Sequence, residues 1–275
     1  MFAMPISPFD GCRDRIKRAR GHSKTLSDIW ESLAEEYLYD SFVDMKSDGT
    51  GTISVVPTHH FPEACAFELG EALYQLRSSL DGAIYAAAIV ESGKDPPPDE
   101  NKLEFPICSK RKEFKSSSWK LGPLSQKCRD FIESVQPYAA PELPAELLVR
   151  NFNRSLSILN EWGRIDRHRR LHVVASWGSR ANPKVFPPEG TTLKFIRING
   201  EGFLENNSEI ATFALDGFVP GMQVEANPDL AIDIAIDEIP HPCSDNDTLG
   251  KRLEAMITAV SVITREIQSI VDGNR

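Results

Sequence analysis

The hydrophobic pattern of the chain changes its period near residue 170, and this change limits the folds that the chain can adopt. Before that point, apolar residues recur at steps of three and four, as at Leu69, Leu73 and Leu76. Such steps build one apolar stripe along a helix. After that point, the segment 230–239 (LAIDIAIDEI) alternates between the two faces, which is typical of a half-buried strand. The chain therefore combines helices and strands in separate stretches.

The same two periods predict the order of the elements. Helices are expected over 26–44, from 63 to a proline-rich loop at 92–100, over 124–136, over 144–165 and over 247–272. Strands are expected over 52–56, 170–177, 192–198, 209–215, 222–226 and 230–239. We therefore predict an α+β fold, in which a helical N-terminal part packs on an antiparallel β-sheet and a C-terminal helix closes the structure. The prediction is a single domain over 1–275, with the helical part at about 20–168 and the sheet plus terminal helix at about 170–272.

Charge and cysteine content exclude several classes of protein. A formal net charge of −9 over 275 residues argues against a general nucleic-acid-binding protein, whose surface should be broadly basic. The stretch 102–115 and the opening stretch are locally basic, so a local anion site is possible, and RNA should bind only at a patch formed by Arg164, Arg167, Arg169 and Arg170. Five scattered cysteines favour free thiols and a cytoplasmic location over a disulfide framework. No apolar run approaches the roughly 18 residues that cross a bilayer, so we expect no membrane partner.

The densest group of functional side chains is the segment 160–172, NEWGRIDRHRRLH, which lies where the fourth predicted helix meets the first strand of the sheet. It supplies Arg167, His168 and His172 as candidate catalytic residues, and Asp166 and Arg169 as candidate binding residues. The two histidines have a spacing that suits metal ligands on one helix, but the predicted strand separates them. We therefore expect no metal and no cofactor. A purely structural alternative is that the arginines cap the end of the helix.

A second polar row follows the helix that starts at residue 63. Arg77 and Asp81 lie beside the apolar stripe, and Glu71 lies nearby. We predict that this row faces the 160–172 segment across a helix–helix contact, where Glu71 and Asp81 would hold Arg167 and His168. The alternative is a surface row with an exposed Arg77–Asp81 ion pair, which would contribute only a few tenths of a kcal/mol.

Four motifs in this order, LGEALYQLRSSLDGAIYA, FPI, IESVQPY and LNEWGRIDRHRRLH, carry a resemblance. The chain resembles a widespread set of uncharacterised bacterial and phage proteins that read G-D-x-x-H-N-L-R-S-x-L-D-H-L, F-P-I, L-Q-P-Y and I-D-K-H-R-x-L-H. The resemblance covers roughly 69–172 and carries no established activity. This chain departs from the pattern at Glu71, where the others have Asp, at Gly82, where they have His, and at Arg167, where they have Lys.

A further resemblance, to the HEPN superfamily of metal-independent ribonucleases, rests on the R-x4-6-H spacing from Arg167 to His172, with His168 in the polar position that follows the arginine. It implies an enzyme of a toxin or anti-phage defence system. In such an enzyme the arginine would stabilise the charge of the phosphorane, and the histidine would move the proton of the ribose 2′-hydroxyl.

Two function classes follow from these observations. The first is a non-catalytic interaction or ligand-sensing protein, in which a buried polar group of Arg, His and Asp side chains binds an anion or simply locks the helices to the sheet. A protein partner or self-association is possible for such a protein. The second is the HEPN-like ribonuclease. The first class is favoured because every motif has a sufficient structural explanation, and the sequence leaves open whether the protein is an enzyme.

Overall fold

A computed structural model describes most of the chain. The described residues are 7–34, 39–58, 62–142, 148–169, 171, 173–177, 181–200, 202–204, 207–230, 232–236 and 248–273. They form two compact units. Unit 1 comprises Met1–Leu26, Phe67–Leu171 and Arg252–Arg275, and unit 2 comprises Ser27–Ala66 and His172–Lys251. The single domain over 1–275 stays a prediction.

The described residues contain long helices and antiparallel strands, so the predicted α+β class is confirmed. The helices are α1 (Asp10–Ala34), α2 (Glu63–Ser92), α3 (Arg111–Ser117), α4 (Gln126–Ser134), α5 (Leu148–His168) and α6 (Leu249–Asp272). The strands are β1 (Tyr39–Met45), β2 (Thr50–Pro57), β3 (Val173–Trp177), β4 (Lys184–Phe186), β5 (Thr192–Ile198), β6 (Gly202–Phe203), β7 (Ser208–Asp216), β8 (Glu225–Asn227) and β9 (Ile232–Ile236). Short 3-10 helices cover Glu100–Lys102, Ser118–Leu121 and Pro137–Glu142. No helix in the described part combines the length and the apolar character that crossing a membrane requires.

Helix α2 runs through the core of unit 1 because its apolar stripe continues over many turns. Leu73, Leu76 and Leu80 are buried along it. Small residues between them bring α1 close, and the hydroxyl of Ser79 donates a hydrogen bond of 3.1 Å to the carbonyl of Cys12. The buried sides of α5 and α6 follow the predicted stripes, with Trp162 as the largest fully buried side chain of the unit. The core therefore fixes which face of each helix remains available for polar contacts.

Unit 2 is built on an antiparallel four-stranded sheet with the strand order β1-β2-β7-β5. The remaining described strands form a three-stranded group, β6-β3-β9, and a pair, β4-β8. The two faces of the central strands bury different residues. Ile53, Phe213 and Leu215 belong to one apolar cluster, whereas Val55 and Ile210 belong to another. On β7 this difference follows from the period of two along a strand, and on β2 the bulge between Ile53 and Ser54 turns Val55 to the other face.

One prediction about this region was wrong. The predicted helix over 26–44 ends at Ala34, and Tyr39–Met45 is a strand that pairs with β2. The turn between the two strands explains the hairpin, because Asp48 accepts hydrogen bonds from Thr50 and Gly49 adopts a φ of 84°. The four-stranded sheet therefore takes β1 and β2 from the part of the chain before residue 60, and β2 corresponds to the strand expected over 52–56.

The cysteines follow their prediction as far as they are described. Cys12, Cys65, Cys108 and Cys128 are buried, and Cys12, Cys108 and Cys128 are free thiols. Burial raises the pKa of the Cys128 thiol to about 12, so this thiol stays protonated near neutral pH. Cys243 lies outside the described residues.

Candidate functional site

Arg77 lies in the middle of α2 and bonds the segment that contains the FPI motif. Its Nη2 donates to Oε1 of Glu104 at 2.8 Å and to the carbonyl oxygen of Phe105 at 2.6 Å. The same nitrogen is 3.4 Å from Oδ1 of Asp81, one helical turn further along α2. Only 18% of the Arg77 side chain is exposed. The guanidinium therefore joins a helix, a neighbouring carboxylate and an irregular backbone segment.

Asp81 and Lys120 complete this network, which we call the clasp: Arg77, Asp81, Glu104 and Lys120. Oδ1 of Asp81 accepts a hydrogen bond of 2.9 Å from the backbone N–H of Phe105. Lys120 bonds the second carboxylate oxygen of Glu104. Both backbone groups of Phe105 are thus bound by side chains of α2, and two cations face two carboxylates. The clasp fastens the 104–105 segment to α2 without leaving a net charge.

The two carboxylates of the clasp have opposite pKa shifts. Burial raises the pKa of Asp81, and the nearby charge of Arg77 offsets only part of that effect. Burial acts in the same direction on Glu104, but the hydrogen bond and charge of Lys120, together with Arg77, outweigh it and lower the pKa of Glu104. Glu104 is therefore the firmly ionised member of the pair, and it holds both cations.

Further hydrogen bonds connect the FPI segment to the QPY motif and to α5. The backbone N–H of Cys108 donates to Oε1 of Gln136 at 2.9 Å, and Nε2 of Gln136 donates to the carbonyl oxygen of Ile132 at 3.0 Å. Nδ2 of Asn153, on α5, bonds the carbonyl oxygen of Gln136. Gln136 and Asn153 are fully buried. Buried polar groups need such partners, so these two side chains tie the end of the FPI segment, the QPY motif and α5 together.

Sequence reasoning missed Gln136 and Asn153, although a signal for Asn153 was present. This asparagine lies within the apolar spacing of α5, between Phe152 and Leu156. A polar side chain at a core position predicts a buried hydrogen-bond network, because an unsatisfied amide is costly there. Glu104 and Lys120 were also missed, because their positions depend on irregular segments whose path the sequence pattern does not predict.

The fourth motif meets α2 at Gly70. A Cβ atom on Gly70 would lie 2.8 Å from both carboxylate oxygens of Asp166, so the carboxylate of α5 rests directly on this glycine. Burial raises the pKa of Asp166, the charge of Glu71 raises it further, and Arg167 offsets part of the shift. Gly70 precedes Arg77 by seven residues, which places the two positions about 10 Å apart along α2. Asp166 and the clasp are therefore separate contacts on one helix.

Three of the remaining candidate residues lie at the end of α5, and one lies on α2. Arg167, His168 and Arg169 are exposed, and so is Glu71 on α2. The backbone N–H of Arg169 still donates to the carbonyl oxygen of Ile165 at 2.8 Å, so the helical geometry continues to this point. These exposed side chains form the last turn of a helix whose buried side is fixed by Trp162 and Leu159.

The structure thus brings together only part of the predicted set. Arg77 pairs with Asp81, and Asp166 lies beside Glu71. Asp81 binds the backbone of Phe105, where the sequence predicted that it would hold Arg167 and His168. His172 lies outside the described residues, so its distance from Arg167 stays untested. The described residues contain no group of three or more His, Cys, Asp or Glu side chains that could hold a metal ion.

Comparison with known proteins adds no assignment. No protein-family model, curated protein or solved structure matches the chain. The resemblance to the uncharacterised bacterial and phage proteins, and the weaker one to HEPN ribonucleases, therefore stay predictions.

Proposed function

We propose that the protein is a non-catalytic binding protein, in which the clasp and the neighbouring buried hydrogen bonds hold α2 and α5 in place and the end of α5 receives an anionic partner. We call the receiving surface the α5 turn and define it as Arg164, Arg167, His168 and Arg169. The observation that carries the proposal is the bonding of Arg77 to both Glu104 and the Phe105 carbonyl. This bonding gives Arg77, the arginine of the first motif, a structural role.

The clasp is poorly suited to chemistry on a substrate. Its cations are bonded to its carboxylates, and Oδ1 of Asp81 accepts the backbone N–H of Phe105. A general base or an anion-binding arginine must instead offer a group that can reach the substrate. The side chains of the motifs on α2 therefore account for the shape of unit 1, not for a reaction.

The α5 turn has the opposite character. Arg164, Arg167 and His168 are exposed on one end of α5, within five residues of one another. The side chain below them, Asp166, is half-buried on Gly70, and burial favours its neutral form. An exposed cluster of arginines with a histidine favours a partner that carries phosphate or carboxylate groups. Because the whole chain is acidic, we expect this attraction to be local and to weaken with salt.

The test uses a short fluorescent single-stranded oligoribonucleotide as a polyanionic probe and measures its anisotropy at low salt. We expect the double variant Arg164→Ala/Arg167→Ala to weaken binding about tenfold. The matched control is Lys112→Ala/Lys115→Ala, which removes two exposed charges from α3. Equal weakening in both double variants, or no binding by the parent at low salt, would contradict the proposal.

The second candidate function is the HEPN-like ribonuclease, and the exposure of Arg167 at the end of α5 favours it. If the chain is such an enzyme, cleavage of the same oligoribonucleotide should persist in EDTA. It should disappear in Arg167→Ala and in His172→Ala, with unchanged circular dichroism spectra. Binding without cleavage by the parent supports the non-catalytic proposal, and cleavage that both substitutions abolish supports the enzyme.

A further inference from the structure

The outer edge of the four-stranded sheet in unit 2, strand β5, is suited to an association that does not depend on the proposed function. Strand β5 pairs with β7 on one side, and no strand among the described residues lies on its other side. An edge strand of this kind presents unpaired backbone N–H and C=O groups, which can pair with another extended chain. The edge is seven residues long, or roughly 24 Å.

The side chains of β5 are unusually apolar for an edge strand. Every residue of β5 except Ile196 is exposed. Leu193, Phe195 and Ile198 expose 40%, 50% and 42% of their surface. Proteins usually protect such an edge with prolines or several charges, and β5 contains only two charged residues, Lys194 and Arg197. The edge is therefore suited to bind a strand.

The charge pattern of β5 identifies a second copy of the chain as a fitting strand. In an antiparallel pair made by a two-fold axis, one residue faces its own copy across the axis and is called here the residue on the axis. Residues at equal distances on either side of it face each other. Lys194 or Arg197 on the axis would set like charges opposite each other, which is destabilising. A bulge between Leu193 and Phe195 interrupts the regular geometry at the start of the strand. Ile196 is the remaining central residue with regular neighbours on both sides.

With Ile196 on the axis, Phe195 of each copy faces Arg197 of the other. Phe195 and Arg197 lie on the same face of the sheet, since they are two residues apart within the regular stretch and pair with Ala214 and Thr212 of β7. An arginine opposite an aromatic ring is a favourable cross-strand pair, and the two-fold axis makes this pair twice.

The second cation of the strand does not oppose this register. Nζ of Lys194 is 2.8 Å from Oδ1 of Asp216, so a carboxylate of the same chain balances its charge. In the register centred on Ile196, Lys194 faces Ile198 of the other copy. We therefore propose that two copies of the chain associate through β5, antiparallel and centred on Ile196, so that two four-stranded sheets become one continuous sheet in a closed dimer.

The association is tested by size-exclusion chromatography with light scattering, using the full chain over a range of concentrations. We expect the parent to approach twice the monomer mass as concentration rises, and not to exceed it. Phe195→Lys would set two cations opposite each other twice, so we expect the dimer to weaken at least about tenfold. Adding Arg197→Glu to Phe195→Lys would replace repulsion by attraction across the same pair, and we expect this double variant to restore the dimer.

The control is Phe186→Lys, which introduces the same charge at a residue that is 53% exposed on β4. It should leave the dimer unchanged. Circular dichroism and thermal midpoints check that each variant is folded, and Arg197→Glu alone gives a second route if Phe195→Lys does not fold. A monomeric parent at every concentration, growth beyond a dimer, or a double variant no better than Phe195→Lys would overturn the proposal.

Discussion

Arg77 and Arg167 lie in the same unit, in the first and the fourth motif, yet the structure uses them in opposite ways. Arg77 is largely buried and bonds Glu104 and the backbone of Phe105. Arg167 is exposed at the end of α5, and its positive charge acts to lower the pKa of the adjacent Asp166. The sequence predicted that both belonged to one polar group. Arg77 therefore stabilises the fold, whereas Arg167 is accessible to a partner.

The cause of the difference is the chain segment that crosses each helix, not the residue type. The 104–105 segment passes over α2 at Arg77 and offers a carboxylate and a carbonyl oxygen to the guanidinium. A desolvated arginine is stable only with such partners. At Arg167 the α5 helix reaches its end, and water can solvate the side chain. The predictions below test this division between a buried and an exposed arginine.

The largest expected effect is on Arg77. Arg77→Ala would leave the Phe105 carbonyl without its donor and remove one of the two cations from Glu104, so we expect a loss of about 2–3 kcal/mol in the free energy of unfolding. Arg77→Lys should lose about half as much, because every contact of Arg77 is made by Nη2 and an ammonium can replace a single donor. Arg167→Ala should change stability by less than about 0.5 kcal/mol. Urea denaturation measures all three, and equal losses at positions 77 and 167 would remove the distinction.

The contact between Gly70 and Asp166 should be nearly as sensitive. Gly70→Ala would place a methyl group 2.8 Å from both carboxylate oxygens of Asp166, and we expect a loss of about 2 kcal/mol as the helices shift. The control is Gly163→Ala on α5, where an added Cβ meets nothing within 4 Å. It should stabilise the helix by about 0.5–1 kcal/mol. Opposite signs for two glycine-to-alanine changes would locate the close approach of α2 and α5, and equal signs would contradict it.

Asp81 should have a smaller effect than Arg77, because Lys120 and Glu104 remain paired without it. Asp81→Ala removes the acceptor of the Phe105 N–H, and we expect a loss of about 1–2 kcal/mol in thermal or urea denaturation. Asp130→Ala is the matched control, since its exposed carboxylate accepts a hydrogen bond from Gln126, one turn away on α4. A change at Asp81 no larger than the change at Asp130 would show that Asp81 is a surface residue.

The smallest effect concerns the ionisation of Asp166. Its folded pKa is raised above the ordinary value of 3.8, because burial and Glu71 disfavour the charged form. A raised pKa means that its contribution to stability is fully present below the ordinary value and is lost as pH rises through the folded value. Asp166→Asn removes this titration, so the variant should gain stability relative to the parent as pH increases from 3.8 upward and then level off. A difference that is constant with pH would show that Asp166 has an ordinary pKa.

Some features of the fold could be predicted because they depend on local periodicity. The stripe from Leu69 to Leu80 predicted the core helix of unit 1, and the segments that became β2, β5 and β7 were located by their β-branched composition. Each of these signals lies within one element and repeats several times. The hairpin strand β1 was missed, because Leu26, Leu33 and Tyr37 continue a helical spacing towards it, and only its pairing with β2 decides its conformation.

The pairing of Arg77 with Asp81 was also suggested by the sequence, since the two residues lie one turn apart on α2. What the sequence alone determined is therefore the helical and strand character of most segments and the side chains that share a helix face. Only the tertiary structure decided which side chain would be buried: the path of the 104–105 segment selected Arg77, Gln136 and Asn153 were buried by segments far apart in the chain, and Arg167 remained in solvent. The physical reason is that the desolvation of a polar group depends on neighbours distant in sequence, and no local pattern records them.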